Sequence, residues 1–257
     1  MQGVKLWIGA VLAAALAAAP AQAFEFEGFP GSTWGQASYD NDDISGSGVM
    51  GFINQGVLWG RLPGGVAVVT YAEYRHRSRN KNQIYYDAGG PAVGLELRKS
   101  VFIAGVDYYW ETLPVLGEKS ERAQGYAGWF VDWDIASLLG LTRAPRLPGS
   151  SWAQVSYDND DISGSGVMGF INQGVDILQL PGGVTVNAYG EYRHRSRDKN
   201  QEYYDAGGPA VGMELQRSPV RAGVDYYWER LPVLGESSER AQLYVSWYLD
   251  WDLKRKE

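Results

Sequence analysis

Charged side chains recur at every second position along several segments of the chain. Because the side chains of a β-strand point alternately to its two faces, this spacing predicts strands with one charged face. Inside a barrel, opposite charges on neighbouring strands can pair, and they either rigidify the wall or define a polar path for small solutes. The residues predicted to line such an interior are Glu73, Arg75, Arg77, Asp107, Glu111, Glu191, Arg193, Arg195, Arg221, Asp225 and Glu229.

The first 23 residues have the pattern of a secretory signal peptide. Lys5 precedes an apolar run over residues 6–19, and Ala21-Gln22-Ala23 supplies the small residues of a cleavage site. The run is shorter than the roughly 20 residues that a helix needs to span a bilayer. The pattern therefore predicts export from the cytoplasm.

Composition narrows the class of the exported protein. The chain has 17 Tyr, 10 Trp and 33 Gly, which is typical of β-sheet proteins. It has no Cys, so neither disulfides nor thiol chemistry is expected. The net charge of −7 argues against nucleic-acid binding. No glycine loop for phosphate, zinc motif or nicotinamide fingerprint is present, so no cofactor and no catalytic residue is assigned.

The mature sequence consists of one unit written twice. Residues 30–135 align without gaps to residues 148–253, a shift of 118, and roughly three quarters of the positions are identical. We divide the mature chain into a first repeat at 24–135, a connector at 136–147 and a second repeat at 148–257. Both repeats are expected to contribute to one barrel.

Each repeat contains six strand-like segments, which in the first repeat are 33–39, 49–62, 66–77, 92–98, 102–111 and 122–134. Short links at 62–65 and 98–101 alternate with long ones at 40–48, 78–91 and 112–121. This asymmetry is typical of transmembrane barrels, which have short periplasmic turns and longer outer loops. Twelve strands are predicted, with both termini at the turn side.

The two faces of these segments differ in polarity. Val220, Ala222 and Val224 alternate with Arg221 and Asp225, for example. The apolar face either meets lipid in a membrane barrel or forms the core of a soluble periplasmic or secreted binding protein. Strand length and aromatic residues near strand ends favour the membrane; the aromatic positions assigned to the girdles are Trp34, Trp133, Tyr39, Tyr74, Tyr108 and Trp110.

On these features the whole mature chain resembles bacterial outer-membrane β-barrels as a class. The resemblance implies an antiparallel up-and-down barrel in the outer membrane of a Gram-negative cell, with outer-membrane lipid and small polar solutes as partners. We interpret the chain as a non-enzymatic, porin-like channel or a structural barrel with a charged lumen. The sequence leaves open whether the lumen is open or plugged.

A second resemblance gives an enzymatic alternative. His76 and Ser78, like His194 and Ser196, are two residues apart at the end of a strand. Outer-membrane lipid A deacylases look similar, since they carry a His and a Ser two apart at a strand end. The resemblance implies a base and a nucleophile in a lipid-modifying hydrolase. The alternative is an interfacial strand end whose arginines bind lipid phosphates.

Two further features give hypotheses about the interior and the loops. The acidic residues 40–43 and 158–161 could bind calcium, but their spacing does not match the ligand spacing of a calcium loop. A solvated acidic loop, or one paired with the basic stretch at 75–81, is therefore favoured. On the inner face the first repeat is less polar, because Ala67, Val69, Ile103 and Gly128 stand where the second has Thr185, Asn187, Arg221 and Ser246. A plug formed by residues 24–29, or an apolar ligand, would fit against that wall.

Overall fold

The computed structural model describes residues 25–26, 29–138, 140, 146–160 and 162–252. The predicted signal peptide lies outside the described residues. The strands are β1 Glu25–Phe26, β2 Pro30–Asp42, β3 Gly46–Leu62, β4 Val66–Arg79, β5 Ala88–Lys99, β6 Phe102–Leu113, β7 Glu118–Asp134, β8 Pro148–Asp160, β9 Gly164–Leu180, β10 Val184–Arg197, β11 Ala206–Arg217, β12 Val220–Leu231 and β13 Glu236–Asp252. One-turn helices are α1 Gln83–Tyr86, α2 Ile135–Leu138 and α3 Gln201–Tyr204. No described helix has the length and apolar character needed to cross a membrane.

Strands β2–β13 form a closed antiparallel barrel, which confirms the predicted twelve-stranded fold. Each strand pairs with its neighbours in sequence, β13 pairs with β2, and the pairing of β3 with β4 completes the ring. Closure gives every wall strand a hydrogen-bonded neighbour on both sides, so no strand of the wall is an edge strand.

The two repeats occupy equivalent halves of the ring. Strands β2–β7 have the same lengths as β8–β13, at positions 118 residues apart. The two strand pairings that join the halves also match. In the β7–β8 pairing Arg122 lies opposite Asp160 in the register, and in the β13–β2 pairing Arg240 lies opposite Asp42. Equivalent residues of the two repeats therefore face each other across an approximate twofold axis along the barrel.

The connections are shorter than predicted at one end. We call this the loop end; it carries the β2–β3, β4–β5 and β6–β7 links and their copies, and the opposite end is the turn end. Strands extend into the predicted loops, so residues 43–45 and 114–117 suffice where 40–48 and 112–121 were expected. The Asp42 carboxylate accepts hydrogen bonds from Ile44 N and Ser45 N, which tightens the turn. Only residues 80–87 and their copy, 198–205, remain long.

Alternation along the strands separates an apolar exterior from a polar interior. Val224 and Leu243 are 53% and 56% exposed, whereas their neighbours Asp225 and Gln242 are each 7% exposed. The same contrast holds around the ring, where large apolar side chains are exposed and aspartates, glutamates and serines are buried. This is the reverse of the arrangement in a water-soluble protein.

The segment at 24–29 does not form the predicted plug where the structure describes it. The backbone of Glu25–Phe26 pairs with Arg61 and Gly60 of β3, so it continues the edge of the wall. Phe29 contacts Trp59 edge to face with ring centroids 5.7 Å apart, and the Trp59 indole donates to Thr70 on the outer face. Pairing with β3 is available because β2 begins only at Pro30 and leaves that end of β3 without a partner.

Candidate functional site: an arginine-lined chamber

A chamber of about 280 Å³ lies on the barrel axis at the loop end. Thirteen residues of the first repeat line it, together with the same thirteen positions of the second. Eight of the lining residues are arginines and four are carboxylates. The arginines are Arg75, Arg77, Arg79, Arg122, Arg193, Arg195, Arg197 and Arg240, and the carboxylates are Asp42, Glu111, Asp160 and Glu229.

A buried tyrosine separates two of the arginines in each half. The guanidinium carbon of Arg75 lies 4.1 Å from the centre of the Tyr109 ring, and that of Arg122 lies 4.4 Å from it. Tyr227 is placed in the same way between Arg193 and Arg240. These cation–π contacts fix the arginine planes without neutralising their charge.

Three of the four arginines in each half also hold a carboxylate. Arg75 Nε donates to Glu73 at 2.7 Å, and Arg122 lies 3.5 Å from Glu111. Both terminal nitrogens of Arg79 donate hydrogen bonds to the Asp40 carboxylate, Nη2 at 2.7 Å. Because Asp40 pairs with Arg79, the prediction that the acidic stretch pairs with the basic one is confirmed at this position. No metal-binding group of three or more acidic or histidine side chains occurs among the described residues.

The fourth arginine, Arg77 in one half and Arg195 in the other, has no such carboxylate. Among the described residues neither takes part in an ion pair, and the Nε atom of each is buried without a hydrogen-bond partner. In the described part of the chain, the hydrogen bond of Arg195 is to the backbone oxygen of Tyr203, at 3.5 Å. The two positions are equivalent across the axis, and both line the chamber together with Glu111 and Glu229.

Two loops form a lid over the chamber. The rings of Tyr85 and Tyr203 stack with centroids 3.9 Å apart. Tyr86 donates its hydroxyl to Tyr203 O, and Tyr204 donates to Tyr85 O, each at 2.9 Å. Burial raises the pKa of both donating hydroxyls, so they remain protonated at neutral pH. We use the term lid for α1, α3 and the residues that flank them, 80–87 and 198–205.

A tryptophan pair crosses the lumen below the chamber. Trp34 and Trp152 meet at 6.2 Å between centroids, and each packs edge to face on the phenylalanine of the neighbouring strand, Phe52 or Phe170. Since the two tryptophans are equivalent across the axis, their contact lies at the centre of the barrel. The prediction that Trp34 belongs to an outer girdle is therefore wrong, because its position in β2 has the same parity as the buried Ser38 and Asp40.

The remaining predicted interior residues lie below the chamber lining. Tyr71 donates to Asp107 at 2.8 Å, and Tyr189 donates to Asp225 at 3.0 Å. Arg221 is nearer the turn end, 3.8 Å from Glu214, and does not line the chamber. Sequence reasoning missed Arg79 because its strand was predicted to end at residue 77, although Arg79 continues the parity of Arg75 and Arg77. Arg122 begins a predicted strand, but no interior role was assigned to it.

Part of the difference in polarity between the two repeats is a cross-strand exchange. Leu58 pairs with Val69, and the equivalent pair in the second repeat is Asp176 with Asn187. Asn187 donates to Asp176 at 2.9 Å. At this position an apolar pair in the first repeat is thus replaced by a hydrogen-bonded polar pair in the second.

The histidine and serine of the motif make no hydrogen bond to each other among the described residues. His76 points outward, and no hydrogen bond joins it to Ser78 in the part of the chain that the structure describes. Ser78 instead donates to Asp87 at 3.4 Å, and Asp87 also accepts from Arg79 N at 2.5 Å. Asp87 therefore anchors the lid to β4, a role that the sequence did not reveal.

No protein-family model matches the chain, and no curated protein matches its sequence. The β domain of the Bordetella autotransporter BrkA is similar at a TM-score of 0.46 and 11% identity, over 85% of this chain and 98% of that one. An outer membrane channel from Pseudomonas putida F1 gives 0.45 and 8%, over 90% and 99%. KdgM porin in complex with disordered oligogalacturonate gives 0.42 and 9%, over 83% and 98%. The resemblance is thus to outer-membrane β-barrels as a class, and no residue role is taken from it.

Proposed function

We propose that the chain spans the bacterial outer membrane and acts as a channel for small polar solutes. The observation that carries the proposal is the reversed polarity of the wall, with exposed valine, leucine and tryptophan outside and buried charges inside. An apolar exterior of this extent requires lipid, because water-soluble proteins rarely expose contiguous apolar patches beyond a few hundred Å². A binding protein surrounded by water would require the opposite orientation of each strand.

The wall is long enough for this role. Its strands have 12–17 residues, against the roughly 9–11 that a tilted strand needs to cross a bilayer. At the loop end, the outward-facing Tyr39, Tyr74 and Trp110 are 54%, 52% and 44% exposed, where aromatic side chains would meet the membrane interface. The lid would then face the outside of the cell and the termini the periplasm.

A lipid-modifying hydrolase is less well supported by the site. Such an enzyme needs the nucleophile and base within hydrogen-bond reach of each other. His76 and Ser78 lack that contact, and Ser78 is engaged by the Asp87 that anchors the lid. The channel is therefore the function that the geometry supports best.

Charge on the outer wall gives a direct test of membrane insertion. We expect Val224→Arg to lower the free energy of unfolding in vesicles by about 2–4 kcal/mol, the usual effect of arginine on the lipid face near the midplane. Val233→Arg is the matched control, because Val233 is also about half exposed but lies in the 232–235 link beyond the strands. Urea unfolding, heat-modifiable gel mobility and carbonate-resistant membrane association provide the measurements. Equal tolerance of both arginines, with release by carbonate, would contradict the proposal.

A further inference from the structure

The chamber contains two arginines, Arg77 and Arg195, that form no ion pair with a carboxylate among the described residues. Arg75, Arg79 and Arg122 each have a carboxylate, whereas Arg77 has none among the described residues. The second repeat duplicates this arrangement and adds Arg195 on the opposite side of the axis. Two guanidinium groups thus face one small space in which no described carboxylate pairs with them.

Such an arrangement has a cost that a ligand would offset. Removing a guanidinium from bulk water is unfavourable unless its charge and its donors are satisfied. Two like charges facing one cavity add mutual repulsion. An anion placed between them would satisfy both groups, and charged oxygens make the strongest hydrogen bonds that arginine forms.

The surroundings restrict the anion in size and charge. The chamber of about 280 Å³ accommodates a compact solute. The Tyr85–Tyr203 lid covers it on one side, which limits competing water and strengthens electrostatic contacts. Six of the eight lining arginines are paired with carboxylates, so Arg77 and Arg195 are the two that the chamber presents to an anion.

We propose that the chamber binds a small polyvalent oxyanion, a carboxylate or a phosphate, with Arg77 and Arg195 as its two equivalent ligands. The proposal rests on the channel function and names its solute class. The twofold placement of the ligands favours an anion that presents a charged oxygen group to each side. Monovalent chloride would satisfy only one of the two groups at a time.

The test is calorimetric titration of the folded, detergent-solubilised barrel with two probes, sodium phosphate and sodium citrate. Sodium chloride holds the ionic strength constant. We expect saturable binding of at least one probe, and Arg77→Gln combined with Arg195→Gln should weaken it at least about 10-fold, because each side chain supplies charge-assisted hydrogen bonds. The two probes distinguish a tetrahedral phosphate site from a polycarboxylate site.

The chain provides its own control for charge removal. Arg98→Gln removes an inward-facing arginine outside the chamber, and glutamine already stands at the equivalent position, Gln216. We expect unchanged binding in this variant. Arg77→Lys with Arg195→Lys keeps the charge and the fold but removes the planar donor pair, so intermediate affinity is expected even if the glutamine variant fails to fold.

Failure of this proposal is distinguishable from failure of the channel. If neither probe binds to a barrel that is heat-modifiable and resists carbonate extraction, the anion site is wrong and the membrane barrel stands. Equal loss in Arg98→Gln and in the double glutamine variant would also overturn it, because the effect would then be diffuse. If the protein is released by carbonate, the channel function itself is wrong.

Discussion

The rings of Tyr85 and Tyr203 stack at 3.9 Å across the barrel axis, although the residues lie on different loops 118 positions apart. Each loop is held at its base by an aspartate, because Asp87 accepts from Arg79 N and Asp205 accepts from Arg197 N, both at 2.5 Å. Each loop is therefore fixed at its base to its own strand, and the ends of the two loops are held by their contact with each other. Neither repeat can form the lid alone.

Removing the stacked rings should open the barrel. We expect Tyr85→Ala with Tyr203→Ala to raise single-channel conductance in planar bilayers several-fold, because the contact that joins the arms is lost. Ile84→Glu is the matched control, since it changes the same helix to the residue found at Glu202 in the other repeat. Equal conductance in the wild type and the double alanine variant would show that the lid does not limit flow.

The tryptophan pair should act as a second constriction in series with the lid. Because the narrower of two constrictions limits flow, we expect Trp34→Ala with Trp152→Ala to increase conductance more in the lid-opened variant than in the wild-type background. Trp129→Ala is the control, because Trp129 faces outward and is 38% exposed. Single-channel recording of the four combinations checks the prediction, which an identical increase in both backgrounds would refute.

The ion pair beneath the lid should be important for stability. Asp40 and Arg79 are 2% and 8% exposed, so Asp40→Asn leaves a buried guanidinium without its counter-ion. We expect a loss of about 3–5 kcal/mol in the free energy of unfolding in urea. The exposed Asp132 supplies the control, and Asp132→Asn should change stability by less than about 0.5 kcal/mol. A similar small change in both variants would mean that solvent reaches the pair.

The strands of the wall were predictable from the sequence because polar and apolar residues alternate clearly along them, and the same pattern occurs in both repeats. A charged face in β10 such as Glu191, Arg193 and Arg195 has few other interpretations. The strand ends were not predictable in the same way. Arg79 lies among polar residues that are typical of loops, and it belongs to a strand because the interior of this barrel is itself polar.

The lid and the tryptophan pair depend on contacts across the axis, which no local pattern contains. No motif next to Tyr85 in the sequence indicates a contact, and its partner is the equivalent tyrosine of the other repeat, Tyr203. The direction of Trp34 was available from its parity with Asp40, but aromatic residues near strand ends usually belong to girdles. The prediction for Trp34 therefore followed the usual placement of aromatic residues at strand ends, although the alternation of side chains along β2 pointed to the interior.

The two repeats also contain a ready-made test of interior pairing. Asp176 and Asn187 are cross-strand partners joined by a 2.9 Å hydrogen bond, and Leu58 and Val69 replace them in the first repeat. Asp176→Leu alone leaves the amide of Asn187, which is 6% exposed, without this partner. We expect a loss of about 1–3 kcal/mol in the free energy of unfolding, the usual effect of an unsatisfied buried polar group.

Adding Asn187→Val to Asp176→Leu should recover most of that loss, because the double variant recreates the apolar pair of the first repeat. A double-mutant cycle by urea unfolding in vesicles measures the coupling, which we expect to be about 1–2 kcal/mol. The reciprocal change, Leu58→Asp with Val69→Asn, should show coupling of the same sign. If the effects of the single substitutions simply add, the two side chains do not share one environment, and the exchange between the repeats would have no basis in packing.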